Sequence, residues 1–70
     1  MTLGTYIRNT RKQMKIRQQD FAKSIGVSKQ ALWMIERDKV TPSWNTISKM
    51  INKFNYDKNI ITELILNNLN

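Results

Sequence analysis

Seventy residues are enough for one small domain, which buries limited apolar surface and has to lean on idealised helix packing or on oligomerisation for its stability. Cysteine and histidine are both absent, which removes disulfides, thiolate metal sites and the commonest neutral-pH general base, so enzymatic chemistry starts disfavoured. Twelve Lys and Arg stand against five Asp and Glu, a formal net charge of +7 that points to polyanionic partners, and nine of the twelve cations fall at or before Lys39.

No run approaches the roughly 18 to 20 apolar residues of a membrane span, and the opening stretch MTLGTYIRNTRK lacks the apolar segment of a secretory signal. A cytoplasmic protein with no membrane partner is expected. From Thr2 to about Met14, Leu3, Ile7, Thr10 and Met14 recur at helical spacing, which predicts an amphipathic first helix whose other faces carry Arg8, Arg11, Lys12 and Lys15. Arg11 falls at the rim of the inner face. Ile16 returns the chain to the core, and Arg17 and Gln18 open a second helix with Asp20 in its first turn, where a negative charge suits the helix dipole.

That second helix, Gln18 to Ile25, turns Phe21, Ala22 and Ile25 inward. Gly26 follows at the point where a chain leaving a helix most needs a positive φ. Ala22 is small enough to let two helices cross closely after so short a turn. Ser28 has the side-chain oxygen to cap a third helix over Lys29 to Arg37. At about 100° per residue, Leu32 and Ile35 form its inner face, and Gln30 and Arg37 fall almost opposite, flanked by Trp33 and Met34, with Lys29 nearer the edge. An amide, cations, an indole and a thioether on the outer side of a short helix suggest a contact surface.

Further on, Thr41 or Ser43 can cap a fourth helix, Pro42 suits its first turn, and Trp44, Ile47, Met50, Ile51 and Phe54 make its apolar stripe up to a left-handed cap at Asn55. Asp57 can cap a last helix, about residues 58–69, in which Ile60, Ile61, Leu64, Ile65, Leu66 and Leu69 cover more of the circumference than packing against one small domain needs. Ile60, Leu64, Leu66 and Leu69 are therefore expected at a dimer interface. No linker, repeat or low-complexity segment divides the chain, so residues 1–70 are read as one domain.

Gln18, Ala22, Gly26, Val27, Leu32, Ile35 and Glu36 together resemble the helix-turn-helix of the lambda-Cro/phage-repressor family, also described as XRE-like. The resemblance covers roughly Leu3 to Tyr56 and is most specific within residues 18–36. It implies an all-α, five-helix lambda-repressor-like domain and an ion pair between Arg11 and Glu36. It also implies DNA-backbone contacts from Gln18, Ser28, Arg37, Lys39, Thr41 and Ser43. Two departures stand out: Lys15 and Asp38 occupy positions where the family usually has glycine. Either the turn at Lys15 is built differently or Lys15 itself takes a positive φ, whereas Asp tolerates the left-handed region better than most residues.

With the third helix in a major groove, Lys29 can donate to guanine O6 and N7 and Gln30 can pair with adenine N6 and N7. Trp33 either packs on thymine methyls or covers the core beside the fourth helix or a dimer surface, and Met34 either contacts the groove or fills space between helices. Arg8, Lys12 and Lys15 are either a solvated basic face or a source of long-range attraction. One reading helix spans too few base pairs for selectivity, so a homodimer on a palindromic operator is expected, acting by promoter occupancy that blocks or recruits RNA polymerase. The alternative is a DNA-binding antitoxin whose last helix holds a toxin. A membrane-surface peptide would want its basic residues opposite a continuous apolar face, and here the most apolar helix is the least basic. Asp20, Glu36, Asp38, Asp57 and Glu63 form no recognisable catalytic or metal set, so no cofactor or small-molecule ligand is expected.

Overall fold

The structure, a computed structural model, describes residues 1–68 and contains five α-helices: α1 Leu3–Gln13, α2 Gln18–Ser24, α3 Lys29–Glu36, α4 Trp44–Phe54 and α5 Lys58–Asn68. The all-α, five-helix architecture expected from the sequence is the one observed. Polar side chains start four of the helices. Thr2, Ser28 and Ser43 accept hydrogen bonds from the backbone N–H of Thr5, Ala31 and Thr46. Asp57 Oδ1 accepts from the N–H groups of Asn59 and Ile60 at 2.8 and 3.2 Å. Each such cap satisfies an N–H that the helix itself leaves without a partner.

The core gathers one stripe from every helix: Leu3 and Ile7, Phe21 and Ala22, Leu32 and Ile35, Ile47 and Met50, Ile61 and Leu64, with Ile25 and Tyr56 from the connections. α3 rests on α1 and α2, and α5 rests on α1. Phe21 and Phe54 stack with ring centroids 4.7 Å apart, and Lys53 Nζ donates to the carbonyl of Ser24 at 2.9 Å, so α4 holds the end of α2.

Tyr56 does more than its position after the fourth helix suggested. Its hydroxyl donates to the carbonyl of Ile7 at 2.8 Å inside the core, and its ring meets Tyr6 edge-on at 5.6 Å. Tyr6 in turn accepts from the N–H of Asp57 at 3.1 Å, so the connection into α5 is fastened to α1 at two points. Burial, reinforced by the nearby Glu36 carboxylate, pushes the Tyr56 hydroxyl well above the usual phenol range.

Two expectations for α4 need correction. Trp44 does not join the inner stripe; it is 67 % exposed, because it is the first residue of the helix and its side chain leans back beyond the end of the packed face. Pro42 is not inside the first turn but lies one residue before the Ser43 cap, where it is buried.

Lys15 and Asp38, which stand where the family usually has glycine, have φ of 59° and 60°, so of the two ways to build the turn at Lys15 it is the positive φ that occurs, and the Asn55 cap is left-handed at φ 59°. Asp38 is supported there in a way the sequence did not reveal. Its carboxylate accepts from the N–H of Gly4 at 2.8 Å and from the Thr2 hydroxyl, which turns the charge toward the positive N-terminus of α1. Gly4 is what lets α1 approach so closely, since a Cβ there would sit 2.6 Å from the carbonyl oxygens of Ile35 and Glu36.

Candidate nucleic-acid interface

α2 ends at Ser24 with Ile25 as its cap, Gly26 turns with φ 76°, and the N–H of Val27 returns to the carbonyl of Ala22 at 3.0 Å before the Ser28 cap begins α3. A Cβ on Gly26 would be strained by that φ and would also meet Lys49 Nζ at 2.9 Å. The turn leaves α3 with Leu32, Ile35 and Glu36 buried and Lys29, Gln30 and Arg37 exposed. Trp33 is 40 % exposed and Met34 is half-buried. Of the four side chains weighed as base readers, three are thus exposed and Met34 is only partly so.

What fixes that helix in direction is an ion pair beneath its last turn. Arg11 Nε donates to Glu36 Oε2 at 2.7 Å and Nη2 to Oε1 at 3.1 Å, a two-pronged contact in which both side chains are almost fully buried. Arg11 Nη1 also donates to the carbonyl of Ile16 at 2.9 Å, so one guanidinium clamps α1, the turn after it and α3 together. Gln18 completes the group, its Nε2 donating to Glu36 Oε1 at 3.0 Å. Gln18 thus opens α2 and also braces the last residue of α3.

The side chains weighed for DNA-backbone contact divide by what they are free to do. Arg37, Lys39 and Thr41 are exposed. The Ser28 hydroxyl oxygen is committed to capping α3, and Ser43 Oγ both accepts from the N–H of Thr46 and donates to its hydroxyl at 3.0 Å. Ser43 can therefore offer an anion the backbone N–H groups of the helix start it organises, whereas Ser28 offers those of its own helix start and its O–H as well, since capping uses only its acceptor side. On α5, Leu64 lies in the core of the chain itself, Ile60 and Leu66 are 39 % and 59 % exposed, and Leu69 lies outside the described residues.

One arrangement was not foreseen. The Arg37 guanidinium lies over the Trp33 ring, 4.7 Å from its centroid. The two face Arg8 and Lys12 across a cleft of about 310 Å³ whose floor is Gln18, Arg11 and Glu36. The i, i+4 spacing of Arg8 and Lys12 was visible, but nothing local in the sequence says which helix that face opposes. Among the described residues no group of acidic side chains is placed to hold a metal ion, and no helix is long and apolar enough to cross a membrane.

A supported helix with a polar outer face, following a second helix through a glycine turn, defines the helix-turn-helix class, in which the second helix of the pair enters the DNA major groove. The helix-turn-helix family model matches residues 7–61, and the chain belongs to that family, of the Cro/C1 type. It is similar to the ImmF control region 10 kDa protein of Bacillus phage phi105, with 34 % identity over 59 residues that make up 84 % of this chain. The matched stretch spans 66 % of that relative's length, slightly under two thirds. No solved structure matches the chain significantly.

Proposed function

We propose that this protein is a sequence-specific regulator of transcription that binds double-stranded DNA as a homodimer, placing one α3 in the major groove of each half of a palindromic operator. The observation that carries the reading is the polarity of α3: Gln30, Lys29 and Arg37 are exposed while Leu32, Ile35 and Glu36 anchor its other side. In that pose Gln30 pairs with adenine and Lys29 with guanine, and the exposed parts of Trp33 and Met34 lie against thymine methyls or sugar carbons. Arg37, Lys39, Thr41, Gln18 and the helix starts at Ser28 and Ser43 hold the phosphates and set the register without reading sequence.

Residue placement and charge support this reading, and so does the relative's name, which assigns that protein to a phage control region. The exposed Ile60 and Leu66 on α5 supply the apolar surface on which a second copy packs. Occupancy then acts on RNA polymerase by exclusion or by contact, according to where the operator lies. No cofactor or small ligand enters the cycle.

The test is selection of bound duplexes from a random pool with the wild type and with Gln30→Ala. Loss of preference at one position in each half-site is the expected result, with a cost of about 1–3 kcal/mol for the lost pair. An unchanged preference removes Gln30 as a reader. The mass of the purified chain tests the rest: a stable homodimer is expected, and a monomer that dimerises only with an unrelated protein favours the antitoxin alternative.

A further inference from the structure

We infer that the cleft between α1 and the end of α3 is a seat for one phosphodiester of the bound duplex, with Arg8 and Lys12 as one wall and the Arg37–Trp33 stack as the other. The proposal rests on the groove-binding reading of α3 and adds to it a backbone contact from a helix outside the helix-turn-helix pair.

The charge arrangement is the first argument. Glu36, the one acidic residue lining the cleft, is neutralised by Arg11 in the floor, and each nitrogen of Arg11 makes one bond there, two to Glu36 and one to the carbonyl of Ile16. What faces the opening is therefore Arg8, Lys12 and Arg37. Among the described residues the salt bridges are Arg11–Glu36 and Arg17–Asp20, so none of these three cations has a carboxylate within bonding distance. Three cations lining one cleft, over a floor whose own charges cancel, form a site for an anion that supplies its own negative charge.

Shape and preorganisation are the second argument. The Trp33 ring supports the Arg37 guanidinium by cation–π attraction, which holds one donor group in place at the rim and leaves its edge N–H groups free to bond. At about 310 Å³ the cleft accommodates a phosphate group with its hydration. It is also continuous with the outer face of α3, since Trp33 and Arg37 belong to both. A duplex lying on Gln30 and Lys29 therefore brings its backbone past this opening, whereas a free anion would have only the cleft itself. Trp33 in this arrangement is a positioning residue for Arg37.

The full-length protein is tested on its selected duplex, with each linkage replaced in turn by a neutral methylphosphonate and with Arg8→Gln/Lys12→Gln compared with the wild type. Both residues are exposed, so the double variant is expected to melt like the wild type. One linkage per half-site should weaken wild-type binding but leave the double variant almost unaffected. The salt slope of the double variant should fall by about 1.8, which makes its loss of affinity between 50 and 200 mM salt about tenfold smaller than that of the wild type.

An equal effect of the double variant at every linkage, or an equal drop in slope from the remote pair Lys23→Gln/Lys58→Gln, would overturn the seat in favour of diffuse attraction. Binding of inorganic phosphate without DNA, followed by Trp33 fluorescence in a Trp44→Phe background, at concentrations that compete with the duplex would reassign the cleft to a free anion. Failure of the wild type to prefer any duplex removes the groove reading itself, an outcome distinct from both.

Discussion

Deleting the buried carboxylate with Glu36→Ala gives the most direct measure of how this small domain is held together. The side chains of Arg11 and Glu36 are 9 % and 2 % exposed, so the substitution strands a guanidinium whose Nε and Nη2 lose their acceptors, and Gln18 Nε2 loses its own. Breaking a buried pair in this way costs about 3–5 kcal/mol. The lower end applies here, because Arg11 and Gln18 border an open cleft through which water can reach the orphaned donors. Natural domains of this length have about 3–10 kcal/mol to lose, so Glu36→Ala is expected to forfeit roughly a third or more of the total. Urea unfolding followed by helix circular dichroism measures the loss, and thermal melting should show a drop of 12 °C or more, at about 4–8 °C per kcal/mol. The companion variant Arg11→Met/Glu36→Leu removes both charges and should recover most of that stability. A cost below about 1 kcal/mol for Glu36→Ala would refute the reasoning, since that is the range of solvent-screened surface pairs.

Gly4→Ala should destabilise by about 1–3 kcal/mol in the same urea assay, because α1 would have to back away from two carbonyl oxygens that do not give; no loss would mean that the contact relaxes freely. Because the Tyr56 hydroxyl ionises less readily folded than unfolded, the stability it contributes is complete below about pH 10 and declines above it, as the unfolded chain releases the proton first. Stability measured from pH 8 to 11 should fall more steeply in the wild type than in Tyr56→Phe, and parallel curves would show that other groups dominate. Lys39→Ala should weaken binding to all duplexes alike and lower the salt slope by about 1.8, one phosphate contact from each subunit. Weakening confined to certain sequences would make Lys39 a base reader.

Helix positions were legible because the apolar spacing, the caps Ser28 and Asp57 and the left-handed Asn55 are local signals, and each helix start and end follows from a few neighbouring residues. Long-range features were not. Gly4 looks like an ordinary residue of a first helical turn until the end of α3 is laid across it, and Tyr56 looks like a loop aromatic until its hydroxyl is seen to reach Ile7. Trp44 misled in the opposite direction, since periodicity treats every position of a helix alike and ignores where the helix ends. The candidate site shows the same split. The outward set on α3 came from its own spacing, whereas the Arg11–Glu36 pair entered through the family resemblance, periodicity having placed Arg11 only at the rim of α1. The cleft lay beyond both, because it exists only where α1 and α3 face each other.

The fastening of α5 through Tyr56 and Tyr6 to α1, and of α1 through Arg11 to α3, makes a continuous line of stiff joints from the proposed subunit contact to the proposed reading helix. In a dimer assembled on α5, the separation of the two reading helices is then dictated by protein geometry rather than adjusted on the DNA. Adding one base pair between operator halves turns one half by about 34–36° relative to the other, a rotation that each of these hydrogen-bonded joints resists. Such a regulator would be unforgiving of insertions at the operator centre.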